Sequence, residues 1–432
     1  MIILLFVSFF VLLILGVPVA LSLAGSSILA LYMADINLVV VAQKMFTAMD
    51  SYSLMAIPFF MIAGGLLADG GVSKRLTDFA KSLVGWLPGG FAVVVFLSSA
   101  FFGAISGSSA ATVAAIGAIM VPAMLEDGYP LKFSLSTVAA GGFLGIIVPP
   151  SIPMVIYGMA AGASVSEVFM GGFLPGFMLA GGMSIYSILW AVRHKEMLKP
   201  HRFSLRVVWK TFKDAIWALI MPLIVLGGIY GGIFTPTEAA CVAVFYGLLV
   251  GLFVYRELDM VSIFKILRSS IITTGMLLFV IAAATAFGLV LTRENVPQTV
   301  AAMITSVATN KLMFWLLVTA LLLVVGTFMD TCPAVMILTP IFTPALAAYN
   351  IDPIVFGVVM IINLGIGLCT PPVGLNLYVA AGLKKTTIEQ VVCKHLWFYL
   401  LAAVTVLVLL MAFPKIIMFL PGLMKTATMV TT

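Results

Sequence analysis

Charge is scarce in this chain, and so are the residues that build a conventional active site. Only 9% of its 432 residues are charged, and it has three histidines and four cysteines. Cys241, Cys332, Cys369 and Cys393 lie far apart with no C-x-x-C spacing, which argues against a disulfide framework or a thiolate metal centre. His194, His201 and His395 sit in or beside loops rather than within apolar runs. An intramembrane hydrolase needs an embedded nucleophile and base, an aspartate pair or a zinc site, so an enzyme is not expected. No Gly-x-x-x-x-Gly-Lys phosphate loop occurs. The longest polar stretch, Arg193 to Lys213, is too short for a nucleotide-binding domain.

What fills the chain is apolar. Hydrophobic residues make up 63% of it and the mean hydropathy is +1.23, the signature of an integral membrane protein. The opening MIILLFVSFF has no basic leader, so it is read as a retained helix rather than a cleaved signal.

Two stretches interrupt this pattern in the same way. LGIIVPPSIP, from Leu144 to Pro153, and IGLCTPPVGL, from Ile366 to Leu375, each place a Pro-Pro pair inside an apolar run. Proline removes a donor and clashes with the preceding turn, leaving backbone groups unpaired. Such breaks survive in a membrane only against protein or a water-filled cavity, and a matched pair points to a transporter's binding site. Other echoes follow in the same order: Gly16-Val17-Pro18 with Phe234-Thr235-Pro236, Val72 with Val296, and Glu167 with Glu389. Together they indicate duplication.

The expected fold is therefore an all-α polytopic membrane protein with two inverted repeats. Residues 1–192 form the first repeat, with a hairpin near 90–124 and a broken helix at 133–162. Residues 193–213 form a basic linker, read as solvated. The second repeat spans 214–413, with a hairpin near 312–348 and a broken helix at 353–383, and 414–432 form a C-terminal tail. Each hairpin is read as re-entrant, because its arms are short for a span of about 20 residues. That leaves five spans per half, and an odd number inverts the second half. With the N-terminus outside, 17 of the 22 Lys and Arg fall on the cytoplasmic side, as the positive-inside tendency requires. Lys44 falls in an outside connection. VSKRLTDFAKSLVGWLPGG and VPQTVAAMITSVATN read as amphipathic interfacial helices.

The hairpin tips and breaks hold most of the small polar residues expected at membrane depth. Ser106, Ser108, Ser109 and Thr112 face the break from Gly145 to Ser151. Thr327, Asp330 and Thr331 face the break from Gly365 to Pro372, with Asn363 before it and Asn376 after. Half-helix ends offer carbonyls to a cation and amides to an anion. Each half could hold one small cation, and a single nearby carboxylate, Asp330, favours sodium over calcium or magnesium. The two cation sites would flank one substrate site, for which Ser109, Ser151, Thr331 and Asn376 are the candidates. Glu238, in FTPTEAA, reads as a helix cap.

Three segments carry a family resemblance: GFLGIIVPPSIPMVIYGMAAGASVSEVFMGGFLPG from Gly142 to Gly176, GGIFTPTEAA from Gly231 to Ala240, and LCTPPVGLNLYVAAG from Leu368 to Gly382. Over nearly its whole length the chain resembles the large membrane subunit of tripartite ATP-independent periplasmic transporters. That resemblance implies a sodium-coupled elevator-type importer of organic acids, C4-dicarboxylates or sialic acids, in a bacterial inner membrane with a periplasmic N-terminus. It implies two partners, a small four-helix membrane subunit and a periplasmic substrate-binding protein, and no cofactor beyond the coupling ion. Carried over by position, sodium sites fall at Ser106, Ser108, Gly145, Val148 and Pro150, and at Asp330, Gly367, Thr370 and Pro372. A stand-alone sodium/carboxylate symporter of the divalent-anion type is the alternative.

Overall fold

The computed structural model describes residues 1–431; Thr432, at the end of the expected tail, lies outside the described residues. Among these there are helices and turns but no strand. The first half opens with α1 (Ile2–Ile14), α2 (Val19–Met33), α3 (Val39–Met49) and α4 (Ala56–Asp69). The amphipathic α5 (Val72–Val84) leads into a hairpin of α6 (Gly90–Ser106) and α7 (Ser109–Glu126). The broken helix follows as α8 (Leu131–Gly142), a 3-10 turn to Ile146, and α9 (Ile152–Ala161), and α10 (Val165–Arg193) closes the half.

The second half repeats the order of parts. α11 (Leu205–Tyr230) and α12 (Pro236–Leu249) precede the long α13 (Met260–Arg293) and the amphipathic α14 (Val296–Val307). A hairpin of α15 (Lys311–Phe328) and α16 (Thr331–Leu346) is followed by the broken helix, α17 (Pro353–Gly367) and α18 (Leu375–Gly382). A short α19 (Ile388–Val391), then α20 (Lys394–Ala412) and α21 (Lys415–Thr431), complete the chain.

Local chemistry sets these boundaries. At α12 the Thr235 hydroxyl accepts from the Glu238 amide at 3.3 Å while Glu238 accepts from the Thr235 amide at 2.8 Å. This is the reciprocal capping box, and it gives Glu238 the capping role expected of it. Asp259, Asn310 and Asp352 cap α13, α15 and α17 through bonds of 2.8 to 2.9 Å. α5 buries Val72, Leu76 and Ala80 along one stripe against α6 and α11, and its basic residues lie off that stripe.

Two helices and the first turns of a third lie where the sequence reading had none. The segment around Lys44 folds as α3, α11 begins at Leu205 inside the expected linker, and the expected tail forms α21. Packing explains the first: α3 rests on α13, and Val41 joins an apolar cluster that also takes Leu5, Phe9 and Phe287 from α1 and α13. A short helix of this kind is marginal alone and stands through tertiary contact.

Nine helices among the described residues are long and apolar enough to cross a membrane. The hairpin arms run 17, 18, 18 and 16 residues, longer than the sequence reading made them, and α7, α15 and α16 contribute to that nine. One large core unites the hairpins, the broken helices, α10 and α20. Within it the halves interlock, with α16 packed on α9 and α7 on α18. Each hairpin thus rests on the far piece of the other half's broken helix.

Candidate functional site: two hairpin tips against two broken helices

The first tip is built by a glycine. α6 ends at Gly107 with φ +60°, a left-handed conformation that costs glycine little and most residues more. A side chain there would also meet the Pro150 carbonyl at 3.1 Å. The chain then reverses, and Ser108 caps α7 by accepting from the Ala111 amide at 3.5 Å. The tip touches the break directly, since the Ile152 amide donates to the Gly107 carbonyl at 3.4 Å. Closer still is the approach of Gly103 to Gly145: a Cβ on Gly103 would lie 2.6 Å from the Gly145 Cα.

This contact gathers oxygens. Ser106 Oγ lies 3.3 Å from Thr112 Oγ1, and Thr112 Oγ1 donates to the Ser108 carbonyl at 2.8 Å. Gly145 lies against both partners, because a Cβ on it would sit 2.8 Å from the Ser108 carbonyl and in collision with Thr112 Oγ1. Ser106, Ser108, Gly145 and Pro150 therefore meet at one tip and break. Val148 lies in the same buried break, its side chain packed with Ala100 and Ala104. Every residue from Gly145 to Ser151 is buried.

The second pair repeats the close approach. A Cβ on Gly367 would lie 2.5 Å from the Gly326 backbone, and the Gly374 amide donates to the Thr327 carbonyl at 3.1 Å. Its environment differs. Asp330 occupies the N-cap position of α16 beside the Thr331 and Cys332 amides, and it is exposed, as is Pro372 in the facing break. Thr370 donates to the Ile366 carbonyl at 2.9 Å. Two buried oxygens nearby in sequence have no hydrogen-bond partner, Thr331 Oγ1 and Asn363 Oδ1. A buried polar atom left unpaired costs about 1–3 kcal/mol, so a ligand that reached these atoms would stabilise the site.

The substrate candidates separate. Ser109 on α7 donates to Asn376 Oδ1 on α18 at 2.8 Å, joining the two halves through buried groups. Asn376 Nδ2 in turn donates to the Ala139 carbonyl at 3.2 Å. Ser151 is turned inward: its hydroxyl donates to the Ile146 carbonyl at 2.5 Å and caps α9. Thr331 is 1% exposed with its hydroxyl unpartnered. Sequence reasoning missed the glycine pairs, although Gly103 and Gly326 both stand just ahead of a tip, and it missed Cys369, whose Sγ accepts from Asn376 at 3.3 Å.

The polar groups of the tips and breaks are oxygens of hydroxyls, carbonyls, amides and one carboxylate, the kind of set that hard cations prefer. Among the described residues no three of His, Cys, Asp and Glu cluster as a metal site.

Residues 6–416 match the family model described as tripartite ATP-independent periplasmic transporter, DctM component. The chain belongs to this family. Family members are transporter permeases rather than enzymes. The isethionate TRAP transporter permease protein DctMQ of Oleidesulfovibrio alaskensis is 44% identical over 89% of this chain, which spans 61% of that relative's length. The C4-dicarboxylate TRAP transporter large permease protein DctM of Rhodobacter capsulatus is 38% identical, with 95% of this chain and 96% of that one covered. Among solved structures, the YdaH transporter of Alcanivorax borkumensis aligns over 87% of this chain and 88% of its own with a TM-score of 0.63. At 16% identity that likeness is one of fold alone.

Proposed function

We propose that this chain is the large permease subunit of a sodium-driven importer of small organic acids, fed by a periplasmic binding protein and completed by a small four-helix membrane subunit. The observation that carries the reading is the matched pair of tips on breaks, Ser106 and Ser108 against Gly145 and Pro150, and Gly326 and Thr327 against Gly367 and Gly374 with Asp330 capping the next arm, in a permease family. Each pair is a cation site, and the buried Ser109–Asn376 contact lies where the substrate path passes between them. Helix starts at Ser109 and Leu375 offer amide ends to a carboxylate or sulfonate, since a helix N-terminus favours an anion. The names borne by the relatives put isethionate and C4-dicarboxylates ahead of sialic acids as substrates to test.

In this reading the halves, 1–192 and 214–413, are inverted repeats with a periplasmic N-terminus in a bacterial inner membrane. The hairpins are re-entrant and, with the broken helices, move as an elevator against the remaining helices. The burial of the first tip and its break supports re-entry, because backbone that leaves helical form at membrane depth must be covered by protein or water.

Reconstituted vesicles test this. Uptake of labelled isethionate or succinate should require an inward sodium gradient and the cognate binding protein and small subunit. Uptake that persists without sodium would end the sodium proposal, and sodium-driven uptake by the chain alone would favour the stand-alone symporter.

A further inference from the structure

A broad cleft lies away from the tips and breaks, and none of their residues lines it. It encloses about 870 Å³ between α5, the linker, the start of α11 and the end of α12. Its walls carry Lys74, Arg75, Lys81, Arg202, Lys210 and Lys213 against only Asp78, Asp214 and Glu257. Part of that charge is engaged. Arg75 pairs with Glu257 at 2.6 Å and lies over the Tyr255 ring at 3.8 Å, and Lys81 lies over Phe91 at 4.4 Å. Among the described residues Lys74, Arg202 and Lys210 have no acidic partner within 4 Å. Six cations thus share one cleft with three carboxylates, an excess of three positive charges.

The rim is aromatic. Trp86 and Trp217 line the cleft and stay about half exposed, at 45% and 44%, and Phe203 packs edge-on against Trp86. Two membrane-length helices end here, α11 at its start and α12 at its finish. Tryptophans beside lysine and arginine at the ends of apolar helices mark the level of lipid headgroups, and basic pockets between such helices suit anionic headgroups.

We propose that this cleft binds the phosphodiester headgroup of an anionic phospholipid, with Lys74, Arg202 and Lys210 holding the phosphate and the tryptophans seating the glycerol and upper acyl chain. A lipid held there would bridge α5, which runs directly into the first hairpin, and the α11–α12 pair. The charge excess selects the headgroup, and the aromatic rim favours a lipid over a free anion, which gains nothing from indole.

The test uses the purified full-length chain in detergent, with cardiolipin, phosphatidylglycerol, phosphatidylcholine or inorganic phosphate as the added probe, read by native mass spectrometry and thermal midpoint. Cardiolipin or phosphatidylglycerol should remain bound and raise the midpoint where phosphatidylcholine does not. The triple variant Lys74→Gln, Arg202→Gln, Lys210→Gln should lose retention about a hundredfold, while Lys265→Gln with Arg268→Gln, outside the cleft, should retain lipid as the parent chain does. If the triple variant fails to fold, Lys210→Gln alone should show a partial loss. Equal retention by the parent chain and the cleft variants would overturn the proposal, as would inorganic phosphate reproducing the whole stabilisation.

Discussion

The two breaks are built alike and housed differently. Both place a Pro-Pro pair opposite a hairpin tip through a glycine-to-glycine approach, Gly103 to Gly145 in one and Gly326 to Gly367 in the other. The first is sealed from Gly145 to Ser151, and its oxygens, Ser106, Thr112 and the Ser108 carbonyl, are neutral and bonded to one another. The second has a carboxylate at its tip, an exposed Asp330 and Pro372, and a buried Thr331 hydroxyl without a partner. The difference teaches that the sealed site depends on packing, whereas the open one depends on charge.

Three expectations follow, and the strongest concern packing. Gly145→Ala would push a methyl into Thr112 and the Ser108 carbonyl, and Gly367→Ala would push one into the Gly326 backbone. Overpacking of this kind costs about 1–3 kcal/mol or more, so both variants should lower the thermal midpoint and abolish uptake. Gly382→Ala, with open space around it, should change stability by less than about 0.5 kcal/mol. If Gly145→Ala transports normally, the tip and break of the first site are not in contact.

Charge comes next. Asp330→Asn should raise the sodium concentration for half-maximal uptake about tenfold or more, and Ser106→Ala about threefold, because bonds to charged groups are worth roughly twice those between neutral ones. Equal effects of the two substitutions in a sodium titration would erase the distinction between the sites.

The smallest effect lies between the halves. Ser109→Ala removes one partner of a buried bond and should reduce uptake about fivefold, while Asn376→Ala also loses its bonds to Ala139 and Cys369 and should reduce it more, with the double variant little worse than Asn376→Ala alone. Additive losses in a double-mutant cycle would mean that the two side chains act separately.

Much of this arrangement was legible in the residues. A Pro-Pro pair in an apolar run has few readings, and a Ser-Gly-Ser-Ser or Asp-Thr step between apolar arms marks a reversal. Thr-Pro-Thr-Glu at α12 announced its own cap. What stayed hidden was set by packing across long sequence separations. Val39–Met49 carries Gln43 and Lys44 and becomes a helix because α13 supports it. The glycine approaches depend on which backbones meet, which no local pattern encodes. Ser151 looked available to a substrate, but the turn at the break brings the Ile146 carbonyl within 2.5 Å of its hydroxyl. The place of Asp330 at the surface of the chain is likewise a property of the assembled tip.

Equilibrium binding of sodium-22 to the purified chain and to its Asp330→Asn variant decides whether the open tip at Asp330 is a sodium site. The parent chain should bind sodium saturably, and Asp330→Asn should lose one class of sites while Ser106→Ala retains it. Identical sodium isotherms for the parent chain and Asp330→Asn would contradict it.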